Sequence, residues 1–330
     1  MSRPIDVTGI GNALVDIQVR IDDDKLASLG FDKGIMTLVD DVTQAKILDG
    51  LKGVDVTRCA GGSSANSIAA AAQIGSAGAY IGKVGDDEIG RFYVDDLRRL
   101  GIEITTAPSD VPTGTSFILI TPDAQRTMLT SLGAAATIGP DDIDADLIRR
   151  SRFVYIEGYL LTAPSGRAAA EHAMEIAAGC DCRVALTASD PFLVDLLRDD
   201  LWKLLEGPVD MFFCNEEEAK SLTGKDDPVE CAAEIHRHVA DVAMTLGPNG
   251  SILMRDGETI AVGGVPVEAI DTTGAGDVYA GALLAGVAAG KDLASAGRLA
   301  SHFAGRVVSQ LGARCAEPPS DADVQRWMAG

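Results

Sequence analysis

The chain has 330 residues, 46% apolar but only 5% aromatic, enough for one large domain or two medium ones with a core built mainly from Ala, Val, Leu and Ile. Its 28 basic against 49 acidic residues leave a net charge of −21, which argues against nonspecific nucleic-acid or anionic-membrane binding but leaves small anionic ligands open. No apolar run reaches the roughly 18–20 residues of a membrane span. The opening Met1-Ser2-Arg3-Pro4-Ile5-Asp6 has no apolar signal-peptide core, and the six cysteines (59, 180, 182, 214, 231 and 315) are scattered like reduced structural thiols, so a cytoplasmic location is expected.

In chain order, residues 4–11 read as a first strand. Residues 14–21 alternate: Val15, Ile17, Val19 and Ile21 on one side, Asp16, Gln18 and Arg20 on the other, a half-buried strand with a polar face. Residues 64–74 form an Ala-rich helix entered through Gly61-Gly62. The glycine-rich stretch 82–90 matches no nucleotide motif and reads as a strand-to-helix turn. An amphipathic helix is predicted over 86–100, with Ile89, Phe92, Tyr93, Leu97 and Leu100 on one face and Gly101 as its stop. Residues 115–130 read as a hairpin turning at Thr121-Pro122-Asp123-Ala124. Short apolar strands at 153–156, 183–187, 209–214, 242–246 and 265–270 then alternate with helices near 165–178, 193–205, 216–222 and 229–240, and 292–311 is a closing helix. This alternation predicts an α/β fold with a mainly parallel sheet covered by helices. The polar-faced strand and the hairpin predict a small second sheet. No repeat and no Pro/Ser linker divides the chain, so residues 1–330 are expected to form one domain.

Polar motifs follow three of the expected strands: Asn215, Gly247 and Asp271. Ligands of open α/β sheets bind at the carboxyl ends of strands, so these motifs predict a site. The densest is Asp271-Thr272-Thr273-Gly274-Ala275-Gly276-Asp277, placed before the apolar run 278–290. Small residues at a helix start let a phosphate reach open N–H groups. A carboxylate there either caps the helix or takes a proton from a nucleophile that attacks the phosphate. Gly61-Gly62-Ser63-Ser64-Ala65-Asn66 reads as a tight turn with a Ser cap, or as backbone and amide groups offered to a ligand's hydroxyls. Asn215-Glu216-Glu217-Glu218 reads as an acidic helix start, or as Asn215 and Glu218 holding hydrated Mg²⁺ beside nucleotide phosphates.

A P-loop sequence is absent, and Gly9-x-Gly11 lacks the third glycine of a dinucleotide fingerprint. His236 and His238 lie on a predicted helix, where positions i and i+2 point about 200° apart, so they cannot share a metal and read as surface residues. With four histidines in all, a histidine-based hydrolase is disfavoured.

These motifs, in this order, resemble the ribokinase, or pfkB, family of carbohydrate and nucleoside kinases across nearly the whole chain. The 271–277 heptapeptide matches the family's D-T-x-G-A-G-D signature without a mismatch. The resemblance implies a ribokinase-like three-layer α/β/α fold with a small β-sheet lid, its strands inserted at about 14–21, 34–40 and 113–131. It implies that Asp277 is the general base and that Gly274, Ala275 and Gly276 supply the anion hole. Asn12, Asp16, Gly61, Gly62 and Asn66 would bind the acceptor. Asn215, Glu218, Thr245, Gly247, Gly250 and His302 would bind ATP, with Mg²⁺ reached through water from Glu218. Asp271 and Thr273 sit where many members bind K⁺.

Ser63 replaces the Lys of ribokinases proper. With Glu157-Gly158-Tyr159 and Ser189-Asp190-Pro191-Phe192, it brings the chain closest to bacterial adenosine-kinase-like members. The expected function is γ-phosphate transfer to a hydroxymethyl group of a nucleoside, adenosine first. The alternatives are a sugar kinase of the same family (ribose, fructose or a related sugar) and a nucleotide- or sugar-binding sensor without turnover. Arg126 in the lid would meet a phosphate or stand as a solvated charge. The expected partners are ATP and a small acceptor, with neither nucleic acid nor membrane, and a second copy paired through the lid.

Overall fold

A computed structural model describes residues 4–329 apart from 35, 52, 106–107 and 124, and does not describe the side chains of Met36, Asp41, Leu48 and Arg126. The expected turn residue Ala124 and the Arg126 side chain therefore lie outside the described residues.

The large sheet has nine strands: β1 (Ile5–Ile10), β5 (Gly78–Ile81), β6 (Glu103–Ile104), β9 (Ser151–Glu157), β10 (Arg183–Thr187), β11 (Met211–Asn215), β12 (Asp241–Thr245), β13 (Ser251–Arg255) and β14 (Glu258–Val262). Their spatial order is β14-β13-β12-β11-β10-β9-β1-β5-β6, parallel throughout except where β13 joins β12 and β14. The small sheet has five: β2 (Leu14–Arg20), β3 (Met36–Leu38), β4 (Val56–Gly61), β7 (Thr113–Ile120) and β8 (Arg126–Gly133), in the order β3-β8-β7-β2-β4.

Alternation along the strands divides the core in two. Val154, Ile156, Phe212, Val242 and Met244 face one cluster, shared with α5 (Ala145–Arg150), α6 (Pro164–Ala178), α7 (Pro191–Leu205), α8 (Glu216–Thr223) and α9 (Pro228–His236). Phe153, Tyr155, Phe213 and Ala243 face the other, shared with α3 (Ser63–Gln73), α4 (Glu88–Arg99), α10 (Ala275–Ala288), α11 (Leu293–Val308) and α12 (Asp321–Ala329). Strands buried on both faces must be apolar at almost every position, as these are. β2 instead alternates between buried and half-buried residues. Its apolar side joins Leu26 of α1 (Asp23–Leu29) and Ile47 of α2 (Asp41–Gly50), which leaves Asp16 and Gln18 on the other side. Among the described residues no helix is long and apolar enough to cross a membrane.

Several expected elements differ. Residues 265–270 form no strand: the sheet ends at β14, and the segment runs on to hydrogen-bond Ile270 N and Asp271 N to Val308 O at 2.7 and 3.1 Å. α11 stops at Val308 instead of 311. α9 stops at His236, which is half-buried rather than on the surface. Its Nδ1 pairs with Val239 O at 3.1 Å, and its Nε2 accepts from Gly257 N at 3.0 Å, joining the helix end to the β13–β14 turn. β4 and the β13–β14 hairpin were not foreseen.

Asp241 fastens the end of the sheet opposite the strand carboxyl ends. It is 2% exposed and takes Nε and Nη2 of Arg255 at 2.7 and 2.6 Å and Nη2 of Arg183 at 2.5 Å. Burial works to raise its pKa, but the hydrogen bonds from the two arginines hold the carboxyl below the usual range. Asp241→Asn is expected to lower unfolding stability by about 2 kcal/mol, less than a fully buried pair because both arginines keep solvent contact. Urea unfolding checks this.

Candidate active site

The winding of the large sheet reverses between β1 and β9, where a crevice opens at the carboxyl ends of the strands. Glu157 closes β9 at this point and is 1% exposed. Its Oε1 accepts from Asn12 N and Nδ2 at 2.7 and 2.8 Å, and its Oε2 from Ser64 N at 3.0 Å. One carboxylate thus joins the end of β1, the end of β9 and the first turn of α3. Gly61 and Gly62 serve packing here. A Cβ on Gly61 would collide with the Asp16 carboxylate, and one on Gly62, at φ 94°, with the Asn12 carbonyl.

Gly274, at φ 73°, turns the chain into α10. The Ala275 N–H donates to Thr272 O at 3.2 Å, and the first internal bond of the helix is Val278 N to Gly274 O at 2.9 Å. The N–H groups of Gly276 and Asp277 are therefore left without an intrahelical acceptor. Of the three donors read from the sequence, Ala275 is occupied and Gly276 is open. A Cβ at Gly276 would meet nothing within 4 Å, so the wall there has room for a ligand.

Asp277 is held by two side chains one turn apart on α3. Ser63 Oγ donates to its Oδ1 at 2.6 Å, and Asn66 Nδ2 to its Oδ2 at 3.0 Å. Arg314 Nε in turn donates to Asn66 Oδ1 at 3.0 Å, which fixes the amide orientation. Burial raises the pKa of Asp277, and Ser63, Asn66 and the Arg314 charge hold it down. Asp16 is pushed up to about 7 by burial, with Arg314 opposing and Asp277 adding to the rise. Glu157 reaches about 7 by burial, against the Asn12 and Ser64 N–H groups that favour its charged form, with Asp277 adding to the rise.

A cleft of about 210 Å³ is lined by Ser63, Thr187, Asn215, Glu218, Thr245 and Gly276–Asp277. Asn215 Oδ1 accepts from Glu218 N at 2.8 Å, and Glu218 Oε2 from Asn215 N at 2.7 Å, a reciprocal cap of α8. These two residues therefore cap α8 and also line the cleft. Glu218 is pushed up to about 7 by burial and, despite the Asn215 N–H, by the like charges of Asp190 and Glu217. A bound cation would relieve that crowding. Among the described residues no cluster of three or more His, Cys, Asp and Glu forms a metal site.

Gly247, Gly250, His302 and Asp271 are not among the residues that line this cleft. Gly247 and Gly250 shape the β12–β13 turn, where Gly250 N donates to Gly247 O at 3.2 Å. His302 lines a second cavity of about 280 Å³ with Gly263, Gly264, Arg298 and Ser301, and stacks on Trp327 at 5.7 Å and 3°. Asp271 is 5% exposed, and its oxygens accept from Thr273 N and Gly312 N, each at 2.8 Å.

Ser63 and Ser189 line the cleft, and Glu157 and Arg314 stand behind it, where no local motif predicts them. Ser189 holds φ 72°, rare for a residue other than glycine, and its Oγ accepts from Gly158 N at 2.9 Å at the cleft wall. Arg314 lies between Ala313 and Cys315, both buried, and no sequence pattern marks it.

Residues 31–319 match the profile of pfkB family carbohydrate kinases. The fold is similar to a probable sugar kinase of Rhizobium etli, at TM-score 0.89 and 35% identity, covering 99% of this chain and 100% of that one. It is similar to the adenosine kinase of Sinorhizobium meliloti at TM-score 0.88 and 36% identity, covering 98% and 99%. An adenosine kinase of Saccharomyces cerevisiae is 27% identical over 94% of this chain and 96% of its own length.

The buried acids predict an unusual pH dependence. Asp16, Glu157 and Glu218 titrate near 7 when folded, and Asp277 is raised, so the folded state holds protons that the unfolded chain has lost. Their penalty grows as pH rises from the ordinary carboxyl range to about 7 and is constant above it. The ligand-free protein is expected to melt several degrees higher at pH 5.5 than at pH 7.5, as thermal unfolding across that range will show.

Proposed function

The chain belongs to the pfkB family of carbohydrate kinases, and from that premise we propose that it transfers the γ-phosphoryl group of ATP to a hydroxymethyl group of a nucleoside, adenosine first. The observation that carries this reading is Asp277. It is a carboxylate in the first turn of α10, beside the open Gly276 N–H, in a cleft that Glu218 also lines. Phosphoryl transfer depends mainly on positioning and charge stabilisation. In this reading Asp277 takes the proton of the attacking hydroxyl, and the N–H groups at the start of α10 meet the charge that develops on the transferred group.

Mg²⁺ bound with the nucleotide neutralises phosphate charge. Asn215 and Glu218 would hold its water shell, which fits a buried acid crowded by other acids. Thr245 faces the nucleotide, and the His302–Trp327 stack offers a flat wall for its base. Asn12, Asp16 and Asn66 face the acceptor. Asp271 and Thr273 are the proposed ligands for K⁺, and turnover in potassium against tetramethylammonium chloride tests them. The apolar side of the small sheet is covered by α1 and α2, so a lid-to-lid dimer would have to use its edge strands β3 and β4. A light-scattering mass tests that arrangement. A cytoplasmic location goes with this reading.

The likeness to a nucleoside kinase and the serine at position 63 support adenosine. The equally close likeness to a probable sugar kinase supports the sugar alternative. ADP release measured over a panel of nucleosides and sugars decides between them, and no ADP above background with any acceptor would leave the sensor reading. Asp277→Asn is expected to keep nucleotide binding and lose at least about a hundredfold in kcat. Near-normal turnover in that variant removes Asp277 from the base role.

A further inference from the structure

Arg314 follows α11 in a segment held by side-chain bonds from two helices' ends. Gln310 Nε2 donates to Arg314 O at 2.6 Å, and Gln73 Nε2 to Cys315 O at 2.8 Å. The guanidinium is mostly buried, with 12% of the side chain exposed. It spans two elements: Nη1 meets Asp96 Oδ2 of α4 at 3.1 Å, and Nε meets Asn66 Oδ1 of α3 at 3.0 Å. Its Nη2 has no hydrogen-bond partner among the described residues.

The consequence runs through Asn66. A carboxamide can present either end to Asp277, and only its NH₂ end is useful to a carboxylate. A guanidinium donates and never accepts, so it captures Oδ1 and turns Nδ2 toward Asp277 Oδ2. We propose that Arg314 is a positioning residue for Asp277, acting through the side-chain amide of Asn66.

The surrounding charges make this more than a hydrogen-bond relay. Asp277 is faced by Ser63 and Asn66 from α3, Asp16 from β2, Tyr155 and Glu157 from β9, Tyr159 just beyond β9, and Arg314. Among the described residues Arg314 is the one cation that acts on both Asp16 and Asp277, and it opposes the rise of each. Removing it takes away the one opposing charge and leaves Asp277 with only the Ser63 and Asn66 hydrogen bonds against burial, which favours a protonated base. The charge of Arg314 therefore extends the pH range over which Asp277 can accept a proton, and its geometry sets the direction from which it does so.

This inference rests on Asp277 being the base, and the experiment separates the two. Arg314→Gln, Arg314→Lys, Asp277→Asn and the double variant Asp277→Asn/Arg314→Gln are assayed for kcat and KM from pH 6 to 9.5, each with a melting temperature. Arg314→Gln is expected to lose roughly tenfold to a hundredfold in kcat at pH 7. Its acidic limb should move up by about one pH unit, so that the loss shrinks at pH 9, while the KM for ATP stays within about twofold. Arg314→Lys keeps the charge but not the fork. Its limb should stay near the wild-type position while kcat remains reduced at every pH. In the Asp277→Asn background, Arg314→Gln should cost nothing further. An unchanged kcat in Arg314→Gln, a loss equal at all pH values, or full additivity in the double variant overturns the proposal. If Arg314→Gln does not fold, Arg314→Lys with wild-type kcat throughout overturns it. Turnover retained in Asp277→Asn alone overturns the base reading instead.

Discussion

Glu157 accepts hydrogen bonds from Asn12 N, Asn12 Nδ2 and Ser64 N, and with these three contacts it fixes where the small sheet and α3 sit relative to the large sheet. β2 follows Asn12 and carries Asp16; α3 holds Ser64 in its first turn and carries Asn66. Three donors lower the cost of burying the Glu157 carboxylate without cancelling it, since burial still pushes it up to about 7. The position of Asn66 then determines where Asp277 is held, and Gly281 of α10, where a Cβ would collide with the Ser67 carbonyl, lets the two helices approach. The site is therefore built outward from the reversal in the winding of the sheet.

The same construction concentrates negative charge. Asp16, Glu157, Glu218 and Asp277 all have raised pKa values, in a protein whose net charge is already −21. In the proposed reaction such a pocket would repel phosphates. The balance would then come from local groups: the N–H groups at the start of α10, Arg314, and a cation near Glu218. Overall charge describes how the protein behaves toward distant polyanions and says little about a cleft with its own donors.

What could be read from the sequence follows physical range. The heptapeptide, the Gly61–Asn66 turn and the Asn215–Glu218 helix start were legible because each pairs local backbone geometry with chemistry over a few residues. The alternation of β2 was legible because one face is buried. Residues 265–270 look like a strand, but whether an apolar run joins a sheet depends on an available edge, and β14 closes this one. Glu157 and Arg314 were not legible as site residues because their partners lie 145 and 248 positions away. Ser63 could be noticed as a substitution in a family motif, but its hydrogen bond to Asp277 could not. The lid turn at Ala124 and the Arg126 side chain were read from sequence and lie outside the described residues.

The Asp271 carboxylate binds the amide of Gly312 and so joins the heptapeptide to the segment that carries Arg314. The groups around Asp277 are thus drawn from widely separated positions, Asp16 in β2 and Arg314 beyond α11. The pocket is therefore complete only when segments far apart in sequence have met, and no local stretch of the chain can form it alone.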